Sequence, residues 1–220
     1  MNYLKPVLFK RVMSNVFIDC GTHFGQGLEE VGINRFGIDS SWIVHTFEAN
    51  PVTFKMLECG YTPSLYIDGN RTRLDYVHYH NEAISTYDGI VSLNIESSSD
   101  ENYNPTGQGT SIIPLEKWNP HNGATKHFFN KTCDVSCIDF SKYILDNFNK
   151  DDFIVIKMDI EGAEYDVLEH MIEKNVLHYI NHIIIEFHAH FFTNKEEILT
   201  REEKLIQYFI ENSIQYERWI

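Results

Sequence analysis

Ile156-Lys157-Met158-Asp159-Ile160-Glu161-Gly162-Ala163-Glu164 places charged side chains at the end of an otherwise apolar strand. From Phe153 to Ile160 only Lys157 and Asp159 interrupt the apolar run, the pattern of a strand covered on both faces by helices. Gly162 then opens a helix whose apolar face is Ala163, Val167, Leu168, Met171 and Ile172. Such a junction is the carboxyl end of a parallel strand, where open α/β sheets bind ligands. Glu161 and Glu164 lie where acids complement a helix N-terminus, a contribution of about 0.3–1 kcal/mol each. Asp159 differs, because it shares a strand face with Lys157; the two form either a structural ion pair or a catalytic couple.

The rest of the chain agrees with an α/β reading. Its 220 residues, 43% of them hydrophobic, suffice for one domain with a sizeable core. A formal net charge of −14 repels a polyphosphate backbone, so nucleic acid is not expected as a partner. No apolar run is long enough to span a membrane, and Met1 to Ser14 lacks the pattern of a secretory signal, which predicts an intracellular, cytoplasmic protein. Cys20, Cys59, Cys133 and Cys137 fit no disulfide framework or zinc spacing and are expected as free thiols. Oligomeric state is not legible.

Strand signals at Val16–Asp19, Ile43–Glu48, Tyr76–Ile84, Phe153–Asp159 and Ile183–Phe187 alternate with helical signals at Phe24–Ser40, Pro51–Cys59, Asp139–Phe148, Gly162–Asn175 and Lys195–Asn212. Pro51 suits a first helical position and Asp139 an N-cap. The rhythm breaks in the middle, where Ile90–Ile95 and Cys133–Ile138 read as further short strands and residues 96–110 as a lid loop. No second domain is apparent across 1–220. The strand-like alternation from Ile214 to Ile220 stops abruptly, so either a final strand is absent or the chain is one domain of a longer polypeptide.

The first strand runs into Asp19-Cys20-Gly21-Thr22-His23-Phe24-Gly25-Gln26-Gly27, a glycine-bearing turn where Gly21 and Gly25 allow close backbone approach to a ligand. It is neither a phosphate P-loop nor a dinucleotide GxGxxG. The second strand ends at Glu48, followed by Asn50-Pro51; an acid there can accept both ribose hydroxyls of an adenosine. Asn81-Glu82-Ala83 follows the third strand, where an adenine edge needs a polar or backbone partner.

With these motifs in place the chain resembles the FkbM family of S-adenosylmethionine-dependent methyltransferases. The resemblance runs from Phe17-Ile18-Asp19 through Phe47-Glu48-Ala49-Asn50-Pro51, Asn81-Glu82-Ala83-Ile84-Ser85, Asp88-Gly89, Ser111 and the KxDxEGxE run to Ile185-Glu186-Phe187-His188. It implies a Rossmann-like class I methyltransferase sheet with helices on both faces. Its usual closing antiparallel strand has no counterpart in this sequence. It also implies S-adenosyl-L-methionine as cofactor, with Asp19, Gly21, Thr22, His23, Phe24, Gly25, Gly27, Glu48, Asn50, Asn81 and Ala83 on the cofactor side, and O-methylation of a hydroxyl.

A hydroxyl is about as weakly acidic as water, with a pKa of roughly 15.7, so its proton needs a base or a metal. Asp159 and Glu161 end one strand, and Glu186, His188 and His190 end the next. They are expected to converge either as a general base with orienting partners, Lys157 positioning Asp159 or the acceptor, or as a site for a hard divalent cation such as Mg2+ held by Asp159, Glu186 and His188. Tyr103 and the Trp118–His127 region, with the resemblance, point to a small-molecule or glycan acceptor, a sugar being expected. The competing readings are an NAD(P)-dependent Rossmann-like oxidoreductase or sugar-nucleotide enzyme, and a non-catalytic cofactor-binding module.

Overall fold

A computed structural model describes residues 13–58, 66–67, 70–71, 73–97, 107–118 and 128–219. Its centre is β1, Asn15–Cys20, in which every residue from Val16 to Cys20 is fully buried. A strand buried on both faces has no face to offer water and is stable only between neighbours and under two layers. β1 lies between β2, Ile43–Phe47, and β9, Phe153–Met158, parallel to both. The other strands are β3, Tyr66–Ile67; β4, Asn70–Arg71; β5, Val77–His80; β6, Ala83–Ser85; β7, Gly89–Ser97; β8, Phe128–Asp139; β10, His182–Ile185; and β11, Gln215–Arg218.

Six of them form one sheet in the order β11-β10-β9-β1-β2-β5, every pair parallel. The chain builds outward from β1 through β2 to β5, then returns to the other side of β1 with β9, β10 and β11. The strand tips of β1 and β9 therefore flank the switch point at which such sheets take ligands. The fold is Rossmann-like α/β.

The two faces are covered unequally. Val16, Ile18 and Cys20 of β1 join Ile154, Ile156 and Met158 of β9 and Ile183 and Ile185 of β10 under α2, Phe140–Asn147, α3, Glu164–Glu173, and α4, Lys195–Glu211. Each large aliphatic side chain wholly buried there contributes about 1.5–3 kcal/mol. The opposite face, with Phe17, Val44, Val155 and Ile184, packs on Leu28 and Val31 from a π-helical segment, Leu28–Phe36. This segment is shorter than the helix expected over Phe24–Ser40, because the chain is still in the glycine turn until Gly25 and Gly37 ends the helix with φ +64°. α1, Pro51–Glu58, starts where Asn50 Oδ1 accepts from the Val52 N–H at 3.0 Å. α2 starts at the expected N-cap, Asp139 Oδ1 accepting from the Lys142 N–H at 3.2 Å.

Two expectations need correction. The single strand Tyr76–Ile84 is two strands: β5 belongs to the main sheet, and β6 pairs with β8 in a second, three-stranded sheet of order β6-β8-β7. The break falls at Asn81, whose side-chain amide donates to the carbonyls of Glu48 at 2.8 Å and Ala49 at 3.3 Å, pinning the end of β5 to the end of β2. Cys133–Ile138 is the inner part of the long strand β8, which pairs antiparallel with β7. The C-terminal alternation is β11, which adds in parallel to β10, so among the described residues this sheet has no antiparallel strand. Of the lid, residues 98–106 lie outside the described residues, as do Cys59, Tyr103 and 119–127. The returning arm is anchored by Ser111, bridged antiparallel to Asn94 of β7. Among the described residues, Cys20, Cys133 and Cys137 are free thiols, as expected. No helix among them is long and apolar enough to cross a membrane.

Candidate active site

Parallel register puts Asp19 directly beside Lys157 on neighbouring strands, and both side chains are buried. Lys157 Nζ donates to Asp159 Oδ2 at 3.0 Å and to the Gly21 carbonyl at 3.4 Å, with Asp19 Oδ1 at 3.8 Å. Burial works against the ammonium, but Asp159 and Asp19 outweigh it and hold its pKa above the usual lysine value. Burial likewise raises Asp19, against the pull of Lys157 and of Thr22, whose hydroxyl donates to Oδ2 at 2.7 Å. Gly27 serves this amine: a Cβ there would stand 2.9 Å from the Lys157 methylenes and 2.8 Å from Asp19 Oδ1.

Gly21 has φ +77°, and a Cβ on it would lie 1.8 Å from the Asp159 carbonyl oxygen. The close approach inferred for this glycine is thus to the tip of β9, because the β1 and β9 backbones touch where both strands end. From there the turn reaches β2: the N–H groups of Gly21 and Thr22 donate to the Phe47 carbonyl at 3.0 and 2.9 Å. Glu48 accepts the His23 N–H on Oε2 and the Asn50 N–H on Oε1, each at 2.8 Å. Burial nevertheless pushes its pKa up to about 7.

These elements wall a cavity of about 280 Å3. Gly21, Thr22, His23, Gly27, Glu48 and Ala83 line one part of it, and Lys157, Asp159, Glu161 and Glu186 line another. Gly107, Gln108, Thr110 and Ile112 of the returning arm, with Trp219 after β11, complete the wall. Asp19, Phe24, Gly25, Asn50 and Asn81 lie behind this lining: Asn50 caps α1, Asn81 braces the β2 tip, and Asp19 anchors Lys157.

Beyond Asp159 the backbone turns sharply, with φ +53° at Glu161 and +99° at Gly162. Ser111 Oγ donates to the Glu161 carbonyl at 2.5 Å, which couples the returning arm to this turn. Glu164 is wholly buried and holds the turn from inside: Oε2 accepts the Gly162 N–H at 2.9 Å, and Oε1 accepts the His188 N–H at 2.9 Å and faces His188 Nδ1 at 3.0 Å. A first-turn acid reads in sequence as a helix-dipole partner, so this tethering role was missed; its signal was the pairing of Glu164 with a His beyond the next strand. His190, by contrast, is exposed, its ring against Phe191.

The other edge of His188 faces carboxylates: Nε2 is 3.4 Å from Glu161 Oε2 and 3.7 Å from both Asp159 Oδ1 and Glu186 Oε1. Burial tends to strip the imidazole of its proton, but Glu161, Glu164 and Asp159 prevail and lift its pKa to about 10. Burial, reinforced by Asp159, Glu164 and Glu186 and opposed by His188, raises Glu161 to about 8. All five residues proposed for the chemistry, Lys157, Asp159, Glu161, Glu186 and His188, therefore converge. Glu164→Ala strands three buried donors, and removing one partner of a buried pair costs about 3–5 kcal/mol. Its thermal midpoint is expected to fall by about 6–20 °C in a calorimetric scan, at about 2–4 °C per kcal/mol for a chain of this size.

A parallel sheet with a glycine turn and an acid at adjacent strand tips places the chain in the Rossmann-like class of α/β proteins. Residues 19–213 match the family described as the methyltransferase FkbM domain, and the chain belongs to that family of methyltransferases. Among solved structures it is similar to the methyltransferase FkbM from Methylobacillus flagellatus KT, at 16% identity and a TM-score of 0.43, over 94% of this chain and 39% of that one. This chain thus spans well under half the length of that protein. No curated protein is significantly similar to it.

Proposed function

We propose that this methyltransferase domain uses S-adenosyl-L-methionine to methylate a hydroxyl oxygen of a sugar or glycan. The observation that carries the reading is the single cavity that joins the glycine turn and Glu48 to the Asp159–Glu161–Glu186 wall. Bound there, the cofactor supplies a methyl group already activated by its sulfonium. Glu48 would accept the ribose hydroxyls, the Gly21–Gly27 turn would hold the amino-acid portion, and Ala83 would border the adenine. Lys157 holds Asp159 in place on the acceptor side. Transfer would form the oxygen–methyl bond as the carbon–sulfur bond broke, and the hydroxyl proton would have to be taken up by the protein. The carboxylate–histidine cluster can take that proton directly; a divalent cation such as Mg2+, were it held there, would supply a lower pKa for the bound hydroxyl. Holding the two reactants in line can itself supply several orders of magnitude in rate.

Calorimetry with S-adenosylmethionine and its demethylated product is expected to give binding heat, and NADH or a nucleotide sugar none. The reverse pattern would replace this reading with the oxidoreductase or sugar-nucleotide alternative. Labelled methyl transfer into fractionated glycans then tests the acceptor: label confined to non-carbohydrate fractions refutes the sugar, and cofactor binding with transfer to no fraction supports a non-catalytic module.

A further inference from the structure

His188 is 2% exposed, and with Nδ1 held by Glu164 its Nε2 is directed away from that partner. Three carboxylate oxygens surround Nε2 at 3.4, 3.7 and 3.7 Å, yet among the described residues it hydrogen-bonds none of them. Asp159 Oδ1 is in the same position: it is buried and has no hydrogen-bond partner, whereas Oδ2 is taken by Lys157. These separations from Nε2 are longer than the roughly 2.7–3.2 Å typical of a hydrogen bond. Donors sharing one octahedral ion with bonds of about 2.1 Å stand about 3.0 Å apart when adjacent and about 4.2 Å when opposite. The ligand atoms of Asp159, Glu161 and His188 all lie within 4.8 Å of one another, and the 3.4 and 3.7 Å separations from Nε2 to Glu161 and Asp159 fall inside that octahedral range.

We infer that Asp159 Oδ1, Glu161 Oε2 and His188 Nε2 bind one divalent cation at the wall of the cavity, with Glu186 within reach as a further ligand. Carboxylate-rich sites with a single imidazole select hard ions, of which Mg2+ and Mn2+ are the fitting class. Glu164 plays the part of an outer carboxylate: it holds Nδ1 and fixes the ring orientation, so that Nε2 faces the ion, which on binding takes the place of the Nε2 proton. Relative to the sequence reading, Glu161 replaces Glu186 in the innermost set, because Glu186 is 35% exposed at its side chain and Glu161 only 16%. Lys157 is kept off the ion by its bond to the other Asp159 oxygen. The ion would acidify an acceptor hydroxyl bound to it; that role rests on the methyl-transfer reading, whereas the binding site does not.

Chelator-treated, dialysed full-length chain is titrated with Mn2+ alone, free Mn2+ being followed by electron paramagnetic resonance. One Mn2+ per chain, displaced by excess Mg2+, is the expected result. Asp159→Asn and Glu161→Gln are expected to weaken binding at least tenfold, and Glu164→Gln by about 10–100-fold through the ring it orients. Asp166→Asn, on the exposed side of α3 beside Arg201, is expected to leave binding unchanged. Circular dichroism of each variant separates loss of the ion from loss of the fold. No bound Mn2+, or binding indifferent to both Asp159→Asn and Glu161→Gln in folded protein, overturns the site. Calorimetry of the same samples with S-adenosylmethionine keeps the two readings apart: cofactor heat without Mn2+ binding sinks only the cation site, and Mn2+ binding without cofactor heat sinks only the methyl-transfer assignment.

Discussion

Gly21→Ala is expected to lower the thermal midpoint by about 8–16 °C, taking a cost of about 4 kcal/mol or more at 2–4 °C per kcal/mol. Two penalties add. A side chain at φ +77° pays the left-handed cost of about 1–2 kcal/mol. The new methyl group would also occupy space 1.8 Å from the Asp159 carbonyl oxygen, which belongs to backbone and cannot swing aside. Prying β1 from β9 to make room typically costs about 1–3 kcal/mol and at this separation more. Gly37→Ala separates the two effects, since its φ is +64° but no atom lies within 4 Å of the added Cβ. That variant should lose only about 1–2 kcal/mol. Equal midpoints for the two variants would refute the contact between strand tips. The cavity is built on that contact, so Gly21→Ala should also bind the cofactor poorly at temperatures where it is still folded.

Glu48→Ala is expected to weaken S-adenosylmethionine binding by at least about a hundredfold, because two hydrogen bonds to a charged group, at about 1.5–3 kcal/mol each, disappear. Calorimetric titration measures it, and an affinity within a factor of three of the parent rules out the ribose role. Glu48→Gln tests the charge separately. In the unliganded protein burial raises the Glu48 pKa from its usual carboxylate value to about 7, so below that pH the group is mostly protonated. Ribose hydroxyls donate best to the ionised form. Affinity should therefore be full above about pH 7 and decline as pH falls through it, and the Gln variant should show no such slope. The sign for stability is opposite. An acid whose folded pKa is raised favours the protonated fold, so its destabilising effect is nil below the unfolded carboxylate pKa and grows as pH climbs to about 7.

The central strands, the carboxyl-end location of the site and most of its residues were legible because each rests on local pattern. Val16–Cys20 and Phe153–Met158 are apolar but for Asp19 and Lys157, the pattern of a doubly covered strand, and Lys157 and Asp159 stand at the strand end that reaches the cavity. Convergence of Glu186 and His188 on Asp159 could be anticipated from adjacent strand ends. Other features depended on partners far away in the chain. Asn81 looked like an adenine contact, but it bonds to the carbonyls of Glu48 and Ala49, more than thirty residues earlier. The second sheet escaped notice because β6 and β8 pair across more than fifty residues, with β7 between them in the chain.

Glu164 shows the division most sharply. From sequence alone the KxDxEGxE run established a charged strand tip opening into a helix, since period and polarity are properties of neighbouring residues. Which carboxylate faces the cavity and which is buried behind the imidazole was set by tertiary structure: the left-handed turn at Glu161 and Gly162 rotates Glu164 inward, and β10 delivers His188 to meet it. A buried carboxylate is tolerated only where donors converge on it, and those donors come from two separate strand ends. Sequence thus determined the sheet, its switch point and the chemistry available there, and only packing decided which oxygen atoms are spent on holding the fold and which are left for a ligand.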